Sequence, residues 1–366
     1  MFGELGPLID HHCHGLVLDD LDRPAFEALL NEAARPAAAG TTFFDSLLGL
    51  AVRRWCAPVL DLPIHASPED YLERRRELGP DASRQLLVAS GIEEFFVDTG
   101  PPDPRLCSAA EVADLAGGTA HEVLRLETLA EDLLGSGVSP VGLPDRIEQE
   151  LSETTAVALK SVAAYRVGLD LPVVRPSRAA VERGFDELVG PSGHRYRIAH
   201  PVVHAWLAWT AIEVGLPLQI HVGYGDADLD LRRADPLRLT AFLRVTEERG
   251  VPVLLLHNYP YQRQAAYLAQ VFQHVSMDVG LAVHNSGALS RAVIAEALEL
   301  VPFAKLLFST DAYGLAELYY LGALLFRRGL SGVLTDLVDA DEMTNDDAER
   351  ILTLIARENS RRVYRV

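Results

Sequence analysis

Lysine is nearly missing from this 366-residue chain: Lys160 and Lys305 stand beside 31 arginines, within 33 basic residues in all. The basic residues are themselves outnumbered by 52 acids, which leaves a formal net charge of -19. A surface this acidic excludes a nucleic-acid binder, which needs clustered positive charge to displace counterions. It also argues against docking on anionic lipid membranes. Cysteine is equally scarce. Cys13, Cys56 and Cys107 are scattered without a CxxC spacing, so neither a thiolate metal cluster nor a disulfide framework is expected. No uncharged apolar run approaches the roughly 18 residues of a membrane span. No basic segment followed by an apolar run opens the sequence, so no signal peptide is expected and the expected location is cytoplasmic. Internal repeats and low-complexity tracts are lacking too. Apolar residues nonetheless make up 49 % of the chain, enough for a globular fold with a large core.

What is present is a succession of short apolar runs, each followed by a helical pattern. The candidate strands are Leu8–His12, Glu94–Asp98, Val123–Leu126, Ala156–Val162, Leu218–Val222, Val253–His257, Val275–Val279 and Lys305–Ser309. They are rich in β-branched and aromatic residues and do not alternate cleanly, as strands covered on both faces should read. Helical spacing follows in Leu237–Arg249, Gln264–Phe272, Leu289–Leu300 and Leu315–Arg327. Eight strands alternating with helices predict an α/β fold, a (β/α)8 TIM barrel over 1–366. Two stretches exceed ordinary connections. Residues 15–91 read as a helical insertion, with helices at Pro24–Ala34, Phe43–Leu60, Pro68–Leu78 and Ala82–Ser90. Residues 166–217 form a second, irregular around Gly190–Tyr196. Both leave the carboxyl ends of strands, where barrel active sites lie, so both are expected to cap that face.

The chemistry gathers at those same ends. In Leu8-Ile9-Asp10-His11-His12-Cys13-His14-Gly15, the period of a strand puts His12 and His14 on one face and Cys13 on the other. Two imidazoles projecting together can share a divalent metal; a polar strand end with hydrogen-bonded histidines is the bland alternative. His11 falls out of this pattern and reads as packed or solvated. Three more strands end in His221, His257 and Asp311. Four imidazoles and one carboxylate then converge on a single barrel mouth. Lys160 sits inside the apolar run Thr155–Val162, where a lysine must snorkel, meet an anion or change its chemistry.

The order HxH, Lys, His, His, Asp on strands one, four, five, six and eight resembles the amidohydrolase superfamily. The local texts IDHHCHG, LKSVAAYRVGL, LQIHVGYGD, LLLHNYPY and FSTDAYG resemble the amidohydrolase portion of fusion proteins that carry a glutamine-synthetase-like domain behind it. The likeness runs from Leu8 to about Arg362, and a stand-alone form is the expectation. It implies His12, His14 and His221 as metal ligands. Asp311 would bind the metal or its water and act as general base and acid. His257 would complete a second metal site or polarise the substrate. Zinc suits nitrogen-rich ligation best, with manganese and iron as alternatives, and the count is one or two ions. In binuclear members of the superfamily a strand-four lysine is carboxylated and bridges two metals. For Lys160 the alternative of a free cation that binds a substrate carboxylate is preferred, because Arg166 follows closely in sequence.

Further substrate-binding candidates are Arg125, Glu127, Arg166, Tyr224 and His284, with Asp98 and Asp226 ranked lower. Arg125 and Glu127, two apart, are expected to face one way. His200 and His204 read as a packed helix face, and Arg74-Arg75-Arg76 as a solvated one. Asp346 and Asp347 fit the first turn of a helix. The expected activity is metal-dependent hydrolysis of a C–N bond in a small carboxylated amide, such as a γ-glutamyl amide. Two rivals are non-oxidative decarboxylation by the same ligands and a binding or regulatory barrel that has lost catalysis. The expected partner is a small-molecule substrate, and homo-oligomerisation is left open.

Overall fold

The computed structural model describes residues 6–33, 35–101, 103–188 and 196–366. The irregular stretch expected around Gly190–Tyr196 lies outside these residues, except for Tyr196. Seven strands form one parallel sheet in chain order: β1 Leu8–Cys13, β2 Ile92–Asp98, β3 Thr119–Arg125, β4 Ala158–Ser161, β5 Leu218–Val222, β6 Val253–His257 and β7 Val275–Met277. Both faces are covered, as the unbroken apolar runs require. One set of side chains, including Val253, Leu255 and Phe308, packs against the surrounding helices. The alternate set, including Ile9, Phe96, Val123, Leu254, Leu256 and Leu307, forms a separate cluster closed by Val363 and Tyr364.

The expected eighth strand, Lys305–Ser309, does not form as one. Phe303–Lys305 is a 3-10 turn. Beyond it the chain makes one parallel bridge to β7, Met277 to Leu306, and then bonds to β1 through His11 N to Phe308 O (3.2 Å) and Asp311 N to His12 O (2.9 Å). The ladder is interrupted because the Asp10 carboxylate takes the Thr310 N–H at 2.9 Å, where a strand partner would offer a carbonyl. The segment is thus bonded to both edges of the sheet without being a regular strand. Lys305, expected to open that strand, instead donates from Nζ to the carbonyls of Ala269 and Phe272, 2.7 Å each. These belong to the end of helix Gln262–Val271, where a cation suits both the free carbonyls and the dipole.

The first insertion is helical as expected, with shifted bounds. Its helices are Arg23–Ala28, Leu47–Ala51 continuing through a π turn at Val52–Cys56 to Val59, Pro68–Leu78 and Pro80–Ser90. Helix Pro68–Leu78 starts where it should: Ser67 accepts the Asp70 N–H, proline occupies the first turn, and Glu69 and Asp70 meet the positive end of the dipole. Thr344 caps Asn345–Thr353 likewise, and Asp346 and Asp347 do fall in its first turn.

The solvated reading of Arg74-Arg75-Arg76 needs correction. Successive helical residues turn by about 100°, so three in a row cannot all face water on a packed helix. Arg75 is buried and pairs with Glu317 at 2.9 Å. Tyr71 donates to the same carboxylate, also at 2.9 Å. This pair ties the insertion to the long helix Ala316–Asp339. Glu317→Ala would leave Arg75 buried and unpaired, a loss of about 3–5 kcal/mol. Chemical denaturation should report that loss, and a change under about 1 kcal/mol would mean that water reaches the pair.

Candidate active site

β1, β6 and the segment after β7 deliver their polar ends to one mouth. His12 and His14 project together, with ring centroids 5.1 Å apart. Their orientation is fixed from behind. Gln219 donates to His11 O and Tyr364 Oη, 2.8 Å each, which turns its Oε1 to His12 Nδ1 at 2.8 Å. His14 Nδ1 lies 3.1 Å from the Asp98 carbonyl. Each acceptor demands the proton on Nδ1, so both Nε2 atoms present bare lone pairs. Those atoms stand 3.1 Å and 3.3 Å from Asp311 Oδ1. Ligand atoms of His12, His14 and Asp311 all lie within 4.8 Å of one another, so the three residues can hold a metal ion.

The surroundings keep these groups as ligands. Burial, followed by the charge of Lys160, pushes His12 down to about 4. Burial pushes His221 down to about 3 and His257 well below the usual range. Burial alone would raise Asp311, but His257, His12 and His14 outweigh it and hold it well below the usual carboxylate range. His257 Nδ1 lies 3.1 Å from Asp311 Oδ2. His221 packs ring to ring on His257 at 4.5 Å, and its Nε2 is buried without a hydrogen-bond partner. Two converging imidazole lone pairs, two more imidazole nitrogens without a hydrogen bond and a carboxylate make a donor set that fits a divalent cation.

Backbone geometry supports a site here. His257, Asn258 and Asp311 have φ of +68°, +61° and +52°. Left-handed backbone is uncommon outside glycine even for His, Asn and Asp, which adopt it most readily, and such residues gather at functional sites.

Lys160 is buried on β4, in register with Arg125 on β3 and Gln219 on β5. Its Nζ is 3.2 Å from His12 Nε2. Burial lowers its pKa to about 8, against the pull of Asp98 and Asp311. Arg125 is anchored on Asp98 at 2.6 Å.

Above the cluster opens a cavity of about 550 Å³. It gathers His14, Arg125, Lys160, Arg166, His221, Asp226, His257, His284 and Asp311 from the candidates. His284 is buried, pushed down to about 4 by burial, with Nε2 unpartnered. Glu127 and Tyr224 do not reach the cavity. Glu127 is enclosed behind β4, where it accepts from Ser161 Oγ (2.7 Å) and Val162 N (3.0 Å) and lies 3.2 Å from His204 Nδ1. Tyr224 instead stands edge-on to Tyr259, centroids 6.3 Å apart. His200 stands just before helix Pro201–Val214 without a side-chain hydrogen bond to it, and only His204 lies within the helix. His11 is packed as expected, between Tyr364 Oη at 2.9 Å and Asp278 at 3.1 Å.

Sequence reasoning passed over Glu32, Tyr165, Arg197 and Tyr313, which also line the cavity. All four come from connecting segments, where no periodicity signals direction. Gly225 marks one of them: a Cβ there would stand 1.9 Å from Tyr165 Oη, so only glycine lets Tyr165 lie against His221 at 4.5 Å.

If Gln219 sets the His12 tautomer, Gln219→Met should weaken divalent-ion binding by about 10- to 100-fold. Chelator competition measures this, and unchanged affinity would show that His12 is oriented by something else.

A family model for amidohydrolases matches residues 143–366, more than half of the chain. Protein fluG of Emericella nidulans is 30 % identical over 98 % of this chain, which spans 45 % of that relative. The chain therefore covers about half the length of the curated relative it matches. A Lactobacillus casei protein described provisionally as a metal-dependent hydrolase superposes with a TM-score of 0.83 at 26 % identity, covering 98 % of this chain and 95 % of that one. A uronate isomerase from Thermotoga maritima, 14 % identical, shares the fold with a TM-score of 0.63 over 98 % and 94 % of the two chains. Among the described residues no helix is long and apolar enough to cross a membrane. The family match covers β4 to β7 and the segment bearing Asp311, the fluG match adds the HxH end of β1, and on both counts the chain belongs to the amidohydrolase family.

Proposed function

We propose that this chain is a metal-dependent hydrolase of a C–N bond in a small carboxylated amide, with γ-glutamyl amides as the substrate class. The observation that carries the reading is the convergence of His12 Nε2, His14 Nε2 and Asp311 Oδ1 within 4.8 Å at the foot of a cavity. The bonded segment 306–311 serves as the eighth stave of a barrel, and residues 15–91 and 166–217 cap it. Ala28, Leu29, Asn31, Glu32 and Ala33 from the first and Arg166 and Arg197 from the second line the cavity.

His12, His14 and Asp311 would hold a divalent ion, zinc before manganese or iron, which would supply Lewis acidity and a water ionising near pH 7. His221 would be the further ligand. Asp311, ionised well below neutrality, accepts the proton of the attacking water and returns it to the departing amine. His257, neutral and 3.1 Å from Asp311 Oδ2, steadies that carboxyl as its charge changes. Lys160 and Arg125 bring positive charge to the carbonyl oxygen. Water adds across the amide, and the products are a carboxylic acid and an amine. The γ-glutamyl preference draws on the resemblance to barrels fused to a glutamine-synthetase-like domain.

After chelation and reconstitution with zinc or manganese, a panel of γ-glutamyl amides should release amine, and chelator should abolish the release. No amine from any of them with metal bound, or CO2 released from unsaturated acids instead, would overturn the reading.

A further inference from the structure

The cavity carries unpaired charges of both signs, brought by different connections. Arg166 ends the short helix Ala163–Arg166 after β4. It lines the cavity, its Nε is buried without a hydrogen bond, and it forms no ion pair among the described residues. Arg197 lies near enough to repel it. Glu32, from the insertion after β1, and Asp226, from the connection after β5, line the same space. Neither forms an ion pair among the described residues, and Asp226 Oδ1 accepts only the Asp228 N–H at 2.8 Å. Burial, with Asp311 and Asp226 adding to it, raises Glu32 to about 7, so this carboxyl lacks a cation.

Arg166 and Glu32 are half-buried and Asp226 is exposed at the cavity rim. Partly shielded charges favour a partner of opposite sign. Had Arg166 and Glu32 met, they would have satisfied one another and closed the space. They are held apart, so the cavity offers a positive site and a negative site at once. A dicarboxylate would satisfy the first and be repelled by the second. A simple amine would do the reverse. A group bearing both charges on neighbouring atoms satisfies both.

We infer that the cavity receives the α-amino acid head of its substrate, the carboxylate against Arg166 and the ammonium against Glu32 and Asp226. This assigns three specificity-determining residues, and it rests on the cavity being the substrate site of the proposed hydrolase. Recognition of the head leaves the far end of the substrate for the metal-ligating cluster.

The test uses the full chain reconstituted with zinc and three probes differing by one charge. L-glutamate carries the whole head, glutarate lacks the ammonium, and 4-aminobutyrate lacks the α-carboxylate. Calorimetry should show L-glutamate binding more tightly than either analogue by about tenfold or more, the size of one charge-assisted contact. Glu32→Gln should erase the preference over glutarate alone, and Arg166→Gln the preference over 4-aminobutyrate alone. Metal content equal to wild type shows that each variant is folded. Equal affinity for all three probes, no saturable binding of L-glutamate, or variants that weaken all probes alike would overturn the inference. The outcomes for the two readings separate. Discrimination among the probes without amide hydrolysis sinks the hydrolase alone. Metal-dependent hydrolysis that ignores the head group sinks this inference alone.

Discussion

Asparagine in place of Asp311 is expected to lower turnover by roughly a thousandfold, the scale of a lost general acid–base group. Asparagine is chosen because the backbone there has φ of +52°, which asparagine tolerates better than most residues. The replacement keeps shape and the backbone bond to His12 O at 2.9 Å. What it removes is charge: the position 3.1 Å from His12 Nε2 and 3.3 Å from His14 Nε2 is taken by a neutral amide oxygen that accepts or by an amide nitrogen that donates. It can then neither take a proton from water nor balance a divalent ion. Steady-state kinetics with measured metal content checks this. A variant that retains a tenth of wild-type activity would show that another group moves the proton.

Acid should unfold the metal-free protein in a window set by its buried histidines. Burial pushes His12 and His284 down to about 4 and His221 to about 3, and holds His257 well below the ordinary 6.5. In the unfolded chain each takes up a proton near pH 6.5. Between about 6.5 and 4 the unfolded state therefore binds more protons, and stability falls as pH falls. Asp10 opposes this. Burial raises it to about 8, so the native state keeps a proton that the unfolded chain releases above pH 4. Glu32, raised to about 7 by burial, opposes it too, while His274, which burial also lowers, joins the four histidines. Two opposing groups against five leave up to three net protons, or about 4 kcal/mol of stability per pH unit at the steepest point. Circular dichroism on chelated protein should show a cooperative transition inside this window. Bound zinc should move it to lower pH, since metal and protons compete for the same lone pairs. A chelated protein still folded at pH 3 would contradict the account.

Much of this site was legible because strands have a period of two. That period put His12 and His14 together, while short apolar runs located β5 and β6 with His221 and His257 at or near their ends. It failed where a strand stops. Arg125 and Glu127 are two apart, but β3 ends at Arg125 and Glu127 falls in the first turn of helix Leu126–Gly135, so the pair diverges. Tyr224 follows Gly223, whose φ of +75° turns the chain before the tyrosine. The missing eighth strand has a similar cause: Asp10 substitutes for a backbone acceptor, and a local pattern cannot reveal a partner 300 residues away. Lys160 was conspicuous by composition, and it lies buried with Nζ 3.2 Å from His12 Nε2. Glu32 and Arg197 lie in connections, where sequence carries no direction.

The central claim is that His12, His14 and Asp311 together hold a divalent ion. Zinc titration of the chelated protein, followed by calorimetry at neutral pH, tests it most directly when wild type is run beside His14→Ala and Asp311→Asn. The account predicts tight binding of at least one ion per chain in the wild type, weakened by about a hundredfold or more in each variant. A wild type that binds no zinc, manganese or iron, or variants that bind as wild type does, would contradict it.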